Sequence, residues 1–140
     1  MRLKPAWGGC RVTYVTTTAG FRAELEAEAR AQGAALPGYR VVPEANRKQK
    51  IRLARQLLTL TWIVFTLRPH AIVTTGASVG YFAIRLGKLV GARCIWVDSI
   101  ANAQELSMSG RMAGPHADLW LTQWEDLATE AGPAYEGSVL

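Results

Sequence analysis

Residues 71–98 read AIVTTGASVGYFAIRLGKLVGARCIWVD, and they decide the fold. Ala71–Thr75 is an apolar, β-branched run that predicts a strand. Gly76–Gly80 predicts a turn. Tyr81–Val90 predicts a helix stopped by Gly91. Cys94–Asp98 predicts a second strand. Both strands are continuous apolar runs rather than alternating ones, which suits a parallel sheet covered on both faces. Strand, turn, helix and strand within 28 residues make a βαβ unit.

The same alternation extends outward in both directions. Arg11–Thr17 predicts a strand, Phe21–Gln32 a helix ended by Gly33, and Tyr39–Val42 a short strand closed by Pro43. Arg47–Leu67 predicts a long helix that stops before Arg68-Pro69. Beyond residue 98 come a loop and short helix over Ser107–Ala117, a strand over Leu119–Thr122 and a helical turn over Glu125–Ala131. The class is α/β, doubly wound, with a mostly parallel Rossmann-like sheet. The 140 residues match the size of one domain, so residues 1–140 are read as a single unit.

Composition narrows the function classes. The chain is 49% hydrophobic and 19% charged, which is globular rather than disordered. Its two cysteines, Cys10 and Cys94, lie outside any CxxC or metal-ligand spacing and read as buried, reduced thiols. No metal and no cofactor is expected. No apolar signal segment follows Met1, and the longest uncharged stretch of a predicted helix, Gln56–Leu67, is 12 residues. A spanning helix needs roughly 20. All 16 Lys and Arg fall at or before Arg111, among 6 acids, giving that part +10. The last 29 residues hold 5 acids and no Lys or Arg. A basic body can face phosphates or an anionic membrane, and an acidic end a basic partner. Nucleic acid is not among the expected partners.

Ligands of open α/β sheets bind beyond the carboxyl ends of the strands, so the loops there hold the candidates. Gly76, Ser78 and Gly80 follow one strand and open a helix, where backbone N–H groups can hold a phosphate or sugar oxygen. A ligand-free βα turn uses much the same residues, and the spacing is neither a Walker loop nor GxGxxG. Asp98 and Ser99 leave the next strand together, to bind a hydroxyl group or to cap their loop. Ser109 and Gly110 precede Arg111 in a small-residue segment. Gln123 and Trp124 follow the last clear strand, suited to sugar or partner contact or to packing the sheet end. His70 and His116 fall at strand starts and read as structural or solvated. No Ser/His/Asp set or spaced carboxylate pair emerges, so no catalytic residue is assigned.

The long helix carries a separate signal. Lys48, Arg52 and Arg55 share a face at i, i+4, i+7, with Trp62 further along it. The helix is basic at its start and apolar nearly all round at its end. Two readings are open: a core helix under another layer, or a patch that meets an anionic membrane surface or a partner.

Several spaced motifs together resemble a known family. These are Tyr39–Asn46, Arg68-Pro69, Thr74–Gly80, Gly87–Ala92, Trp96–Ala101, Ser107–Gly110, Ala117-Asp118, Gln123-Trp124 and Tyr135–Gly137. Most of the chain is similar to bacterial polysaccharide-biosynthesis glycosyltransferase subunits. Those resemble the eukaryotic membrane-anchoring subunit of the N-acetylglucosaminyltransferase that acts on dolichol-linked sugars. The resemblance implies the N-terminal half of a split GT-B glycosyltransferase, with a second chain supplying the donor-sugar half. It implies a subunit at the cytoplasmic face of the membrane that binds a polyprenyl-diphosphate-linked saccharide and recruits its partner. The complex would transfer a hexosyl, glucuronosyl or N-acetylglucosaminyl unit from a nucleotide sugar. The alternative is a non-catalytic docking or scaffold protein that places a partner at the membrane. The family pattern also opens with a strand and a Gly-Gly-His-type loop, ahead of a helix that Met1–Trp7 would end. Both are expected to be missing here, and Gly8-Gly9-Cys10, which precedes a strand, is no substitute for the loop.

Overall fold

The computed structural model describes residues 4–45 and 48–138. Its strands are β1 (Thr13–Thr16), β2 (Gly38–Val41), β3 (Ala71–Thr74), β4 (Arg93–Val97), β5 (Leu119–Thr122) and β6 (Ala134–Tyr135). Its α-helices are α1 (Arg22–Ala31), α2 (Lys50–Leu67), α3 (Ala77–Leu89) and α4 (Met108–Ala113). All described strand pairs are parallel, as expected, but they fall into two sheets: β1–β2, and β3–β4–β5–β6. Helices lie on both faces. Val15 of β1 and Ile72 of β3 pack against one cluster built from Val42, Leu60, Ile63, Val64 and Leu86, which places α2 and α3 on one side. The neighbouring Tyr14 lines a hollow with Leu25 and Ala29, which places α1 on the other.

α3 seats more tightly than its sequence suggests. A Cβ on Gly80 would collide with Thr74 Oγ1 and come within 3.2 Å of the Trp96 ring. A Cβ on Gly87, two turns on, would meet Ile72 Cδ1 at 2.5 Å and Cys94 Sγ at 3.0 Å. Helix backbone therefore rests directly on β3 and β4, and Ile84, Cys94, Trp96 and Ala113 close the core beside it. The opposite end of the sheet is clamped by Asp118. Its carboxylate accepts from Lys88 Nζ and from the Cys94 amide, each at 2.7 Å. The Lys88 ammonium holds the Asp118 carboxyl below its ordinary range.

Four readings need correction. α3 begins at Ala77, not Tyr81, so Ser78 and Gly80 are helical. Glycine at 80 serves close packing rather than a turn. Cys10 is exposed; only Cys94 is a buried thiol, and burial raises its pKa. Glu125–Leu127 is a single 3-10 turn, and the pair Ala134–Tyr135 adds a strand that two residues could not announce. α2 starts at Lys50, so Lys48 precedes it. Arg47, where the long helix was expected to begin, lies outside the described residues, as do positions 1–3 of the expected terminal helix.

Gly80→Ala is expected to cost about 1–3 kcal/mol through overpacking against Thr74 and Trp96. Thermal unfolding of the variant measures it. An unchanged midpoint would show that the contact has room to spare.

Candidate functional site

The carboxyl ends of β3, β4 and β5 gather most of the candidate residues. Gly76 follows β3 with φ +126°, a conformation open to glycine and costly for any other residue. Ala77 comes next, also at positive φ (+63°), so two consecutive unusual residues turn the strand into α3. This turn faces the end of β4: a Cβ at Gly76 would sit 3.9 Å from Ser99 Cβ.

Asp98 organises the next loop. It is 2% exposed, yet every direction around it is used. Oδ1 accepts from the Ser99 amide at 2.8 Å and from Asn102 Nδ2 at 3.3 Å. Oδ2 accepts from the Ser107 amide at 2.9 Å. Its own amide donates to the Leu121 carbonyl at 2.8 Å, and its carbonyl accepts from Gln123 Nε2 at 2.8 Å. One carboxylate thus ties both ends of the 99–107 loop, and the backbone links it to β5. Of the two roles open from sequence, capping the loop is the one this geometry performs. Charge-assisted bonds from two amides and a side-chain amide leave a buried anion well compensated.

The remaining candidates complete this arrangement. Ser107 Oγ accepts from the Gly110 amide at 2.8 Å and caps α4. Gly110 lies against Asp98, where an added Cβ would come 2.7 Å from Oδ2. Ser109 is its neighbour in α4. Trp124 Nε1 donates to the Ile100 carbonyl at 2.9 Å, fixing the first part of the loop from the β5 side. Gly76, Asp98, Ser99, Gly110, Gln123 and Trp124 therefore meet at one rim. Ser78 turns away from it.

Ser78 reveals a residue the sequence reading passed over. Its hydroxyl lies 3.0 Å from Gln56 Oε1 and 3.3 Å from the Ala45 carbonyl. Gln56 is fully buried, and its Nε2 donates to the Pro43 carbonyl at 2.7 Å. The start of α3 is thereby tied to α2 and to the loop after β2. Gln56 was detectable: it stands on the same helical stripe as Leu60, Ile63 and Val64, where an unpaired amide would be costly.

Arg52, Arg55 and Trp62 lie on the exposed side of α2, apart from the rim, with Lys48 just before the helix. His70 and His116 are exposed, and His116 Nε2 lies 2.8 Å from Arg85 Nη1. Among the described residues no group of three or more His, Cys, Asp or Glu could hold a metal ion, and no helix is long and apolar enough to cross a membrane.

Asp98→Asn replaces an acceptor oxygen by an NH2 group that must face N–H donors. A loss of about 1–3 kcal/mol is expected, with faster proteolytic cleavage between residues 99 and 107. Limited proteolysis followed by mass mapping reads both the rate and the position. Cleavage at the unchanged rate would mean that the loop holds without its anchor.

Comparison with known proteins follows the same lines as the geometry. The chain is 30% identical to the UDP-N-acetylglucosamine transferase subunit ALG14 of Eremothecium gossypii, over 91% of this chain and 67% of that protein. It is also 30% identical to the subunit of that name from Yarrowia lipolytica, over 66% of this chain and 46% of that protein. The chain thus spans about two thirds of the one relative and under half of the other. Its fold is similar to that of the crystal structure of Acinetobacter baumannii MurG, with a TM-score of 0.67 at 10% identity, covering 96% of this chain and 39% of that one. The family described as "Oligosaccharide biosynthesis protein Alg14 like" matches residues 16–139, and to that family this chain belongs.

Proposed function

We propose that this chain is the acceptor-binding and membrane-recruiting subunit of a two-chain glycosyltransferase. The complex transfers a sugar from a nucleotide sugar to a polyprenyl-diphosphate-linked saccharide at the cytoplasmic face of the membrane. Residues 1–140 act as one domain of the GT-B N-terminal type, and a partner chain brings the donor. The names of the relatives make UDP-N-acetylglucosamine the first donor to test. The rim of Gly76, Ser99, Ser109, Gly110 and Trp124, backed by Ser78, Gly80, Asp98 and Gln123, is the surface for acceptor or partner.

The observation that carries this reading is the outward side of α2. The helix buries Gln56, Leu60, Ile63 and Val64. Directly opposite, Ile51, Leu58, Trp62 and Phe65 form a solvent-facing stripe, with Leu58 70% and Trp62 62% exposed. A core helix would have covered these side chains. Arg52 and Arg55 are exposed along the flank of the stripe. An apolar stripe edged by cations suits an anionic bilayer surface, where each cation near the headgroups contributes about 1 kcal/mol.

Flotation with vesicles containing anionic lipid tests the membrane half of the reading. The wild-type chain is expected to float. Lys48→Glu with Arg52→Glu and Arg55→Glu should weaken binding at least tenfold, because each reversal removes one attraction and adds a repulsion. Binding that survives all three reversals and Trp62→Ala would remove α2 as the anchor.

A second assay tests the enzyme half. The chain and its donor-binding partner, mixed with UDP-N-acetylglucosamine and a polyprenyl-diphosphate-linked sugar, should give product that neither chain gives alone. If the mixture floats but transfers no sugar from any nucleotide sugar, the chain is a docking protein rather than an enzyme subunit.

A further inference from the structure

The outer face of α3 carries a feature that the proposed function leaves unused. α3 leaves the rim at Ala77 and descends to the opposite end of the sheet, where Lys88 in its last turn meets Asp118 ahead of β5. Over the lower half of the helix lies a hollow of about 280 Å³. Leu57 of α2 with Phe82 and Leu89 of α3 forms its apolar part, and Arg85, Lys88 and His116 its polar part. Small-molecule pockets run from about 300 to 1,000 Å³. This one is at the low end, and Leu89 at its edge is 73% exposed. It has room for part of a ligand, with the remainder left outside.

The polar part pairs groups of one sign. Arg85 Nη1 lies 2.8 Å from His116 Nε2. A guanidinium has donors only, so Arg85 donates and the unprotonated ring nitrogen accepts. Among the described residues Arg85 has no carboxylate partner. Asp118 does not serve as one, because it is bonded to Lys88 at 2.7 Å. A guanidinium and a ring that can become cationic thus stand together at the edge of an apolar hollow, both exposed and without a counter-ion. The planar fork of an arginine matches the oxygens of a phosphate.

The hollow also adjoins the outward stripe of α2, since Leu57 precedes Leu58 of that stripe. Arg52 and Arg55 edge the stripe toward the rim, and Arg85 and His116 stand toward the other end. An inorganic anion here would leave Leu57, Phe82 and Leu89 in water. A neutral amphiphile would leave Arg85 without a counter-ion. An anionic head on an apolar chain satisfies both parts.

We propose that this hollow binds one anionic phospholipid, with its phosphate on Arg85 and His116 and the upper part of one acyl chain over Leu57, Phe82 and Leu89. The site deepens the membrane-recruiting role of the chain and rests on it for the source of the lipid. The α2 stripe attracts an anionic surface in general, whereas this hollow selects one headgroup at a time.

Nuclear magnetic resonance of the His116 and Phe82 rings tests this with dihexanoylphosphatidylglycerol kept below its micelle concentration, so that no bilayer is needed. Both signals are expected to move together and to saturate. Dihexanoylphosphatidylcholine and inorganic phosphate are each expected to bind at least about tenfold more weakly, since one lacks net charge and the other a chain. Arg85→Glu and Leu89→Asp should each weaken the anionic lipid at least about tenfold. Both side chains are exposed, so an unchanged melting midpoint shows that the fold is intact. Lys48→Glu with Arg52→Glu and Arg55→Glu should leave this titration as it is while lowering vesicle flotation. Saturation without flotation therefore keeps the site and removes the α2 anchor, and flotation without saturation does the reverse. Equal binding of phosphatidylcholine would reduce the hollow to an apolar groove, and equal binding of inorganic phosphate to an anion contact. Either result overturns the proposal, as does a folded Arg85→Glu chain that binds the anionic lipid as tightly as the wild type.

Discussion

The contact on which the rest of this structure depends is that of α3 with β3 and β4, closed to backbone distance at Gly80 and Gly87. Seating a helix this low fixes where its first turn lies. Because Gly80 is held against Thr74 and Trp96, the preceding turn at Gly76 and Ala77 is brought beside Ser99. The start of α3 then reaches Gln56 through Ser78, which sets the height of α2 on the sheet. Two glycines with no side chain to contribute thus decide where the strand-end rim and the outer helix stand relative to each other. The cost of such contacts is low tolerance, because neither β3 nor β4 can yield without disturbing Trp96, which is fully buried.

Around that contact the polar groups are paired so as to hold loops rather than to react. Asp98 spends its carboxylate on two amides and Asn102. Gln123 spends its amide nitrogen on the Asp98 carbonyl, and Trp124 its indole N–H on Ile100. What these residues leave facing outward is mainly backbone, the Ser99 hydroxyl and small side chains. A surface of this kind can position a ligand or a partner and can stabilise charge through fixed dipoles.

Much of this was legible in the sequence, for reasons that also explain what was not. The β3–α3–β4 unit announced itself through apolar runs on either side of a helical stretch. The start of α3 did not, because glycine has two uses: Gly76 answers a demand for positive φ and Gly80 a demand for close approach. A sequence displays both as the same letter. The role of Asp98 stayed open between ligand and cap, since its partners are mostly backbone amides whose positions no side-chain pattern records. The α2 helix was read as basic then apolar, but periodicity cannot say whether an apolar face is covered. Only the placement of Gln56, Leu60, Ile63 and Val64 against the core showed that Leu58 and Trp62 are the uncovered side.

The geometry of α2 links the two surfaces. The helix follows β2 and returns across the sheet, so its first turns lie at the carboxyl end of the strands, and the Ser78–Gln56 contact pins them there. Arg52 and Arg55 are thus at the same end of the molecule as the rim of Gly76 and Ser99. From Arg52 to Phe65 the helix runs about 20 Å, at 1.5 Å per residue. A bilayer that contacts the entire stripe must therefore lie along α2, not at its tip, and the cations sit at the end of that contact nearest the rim. A lipid-linked acceptor keeps its diphosphate at the level of the headgroups. On the proposed function, the basic turn of α2 would face the same layer in which that diphosphate lies, with the rim beside it. On the proposed function, anchoring and acceptor binding would be two consequences of one helix position, which the contact of Ser78 with the buried Gln56 holds in place.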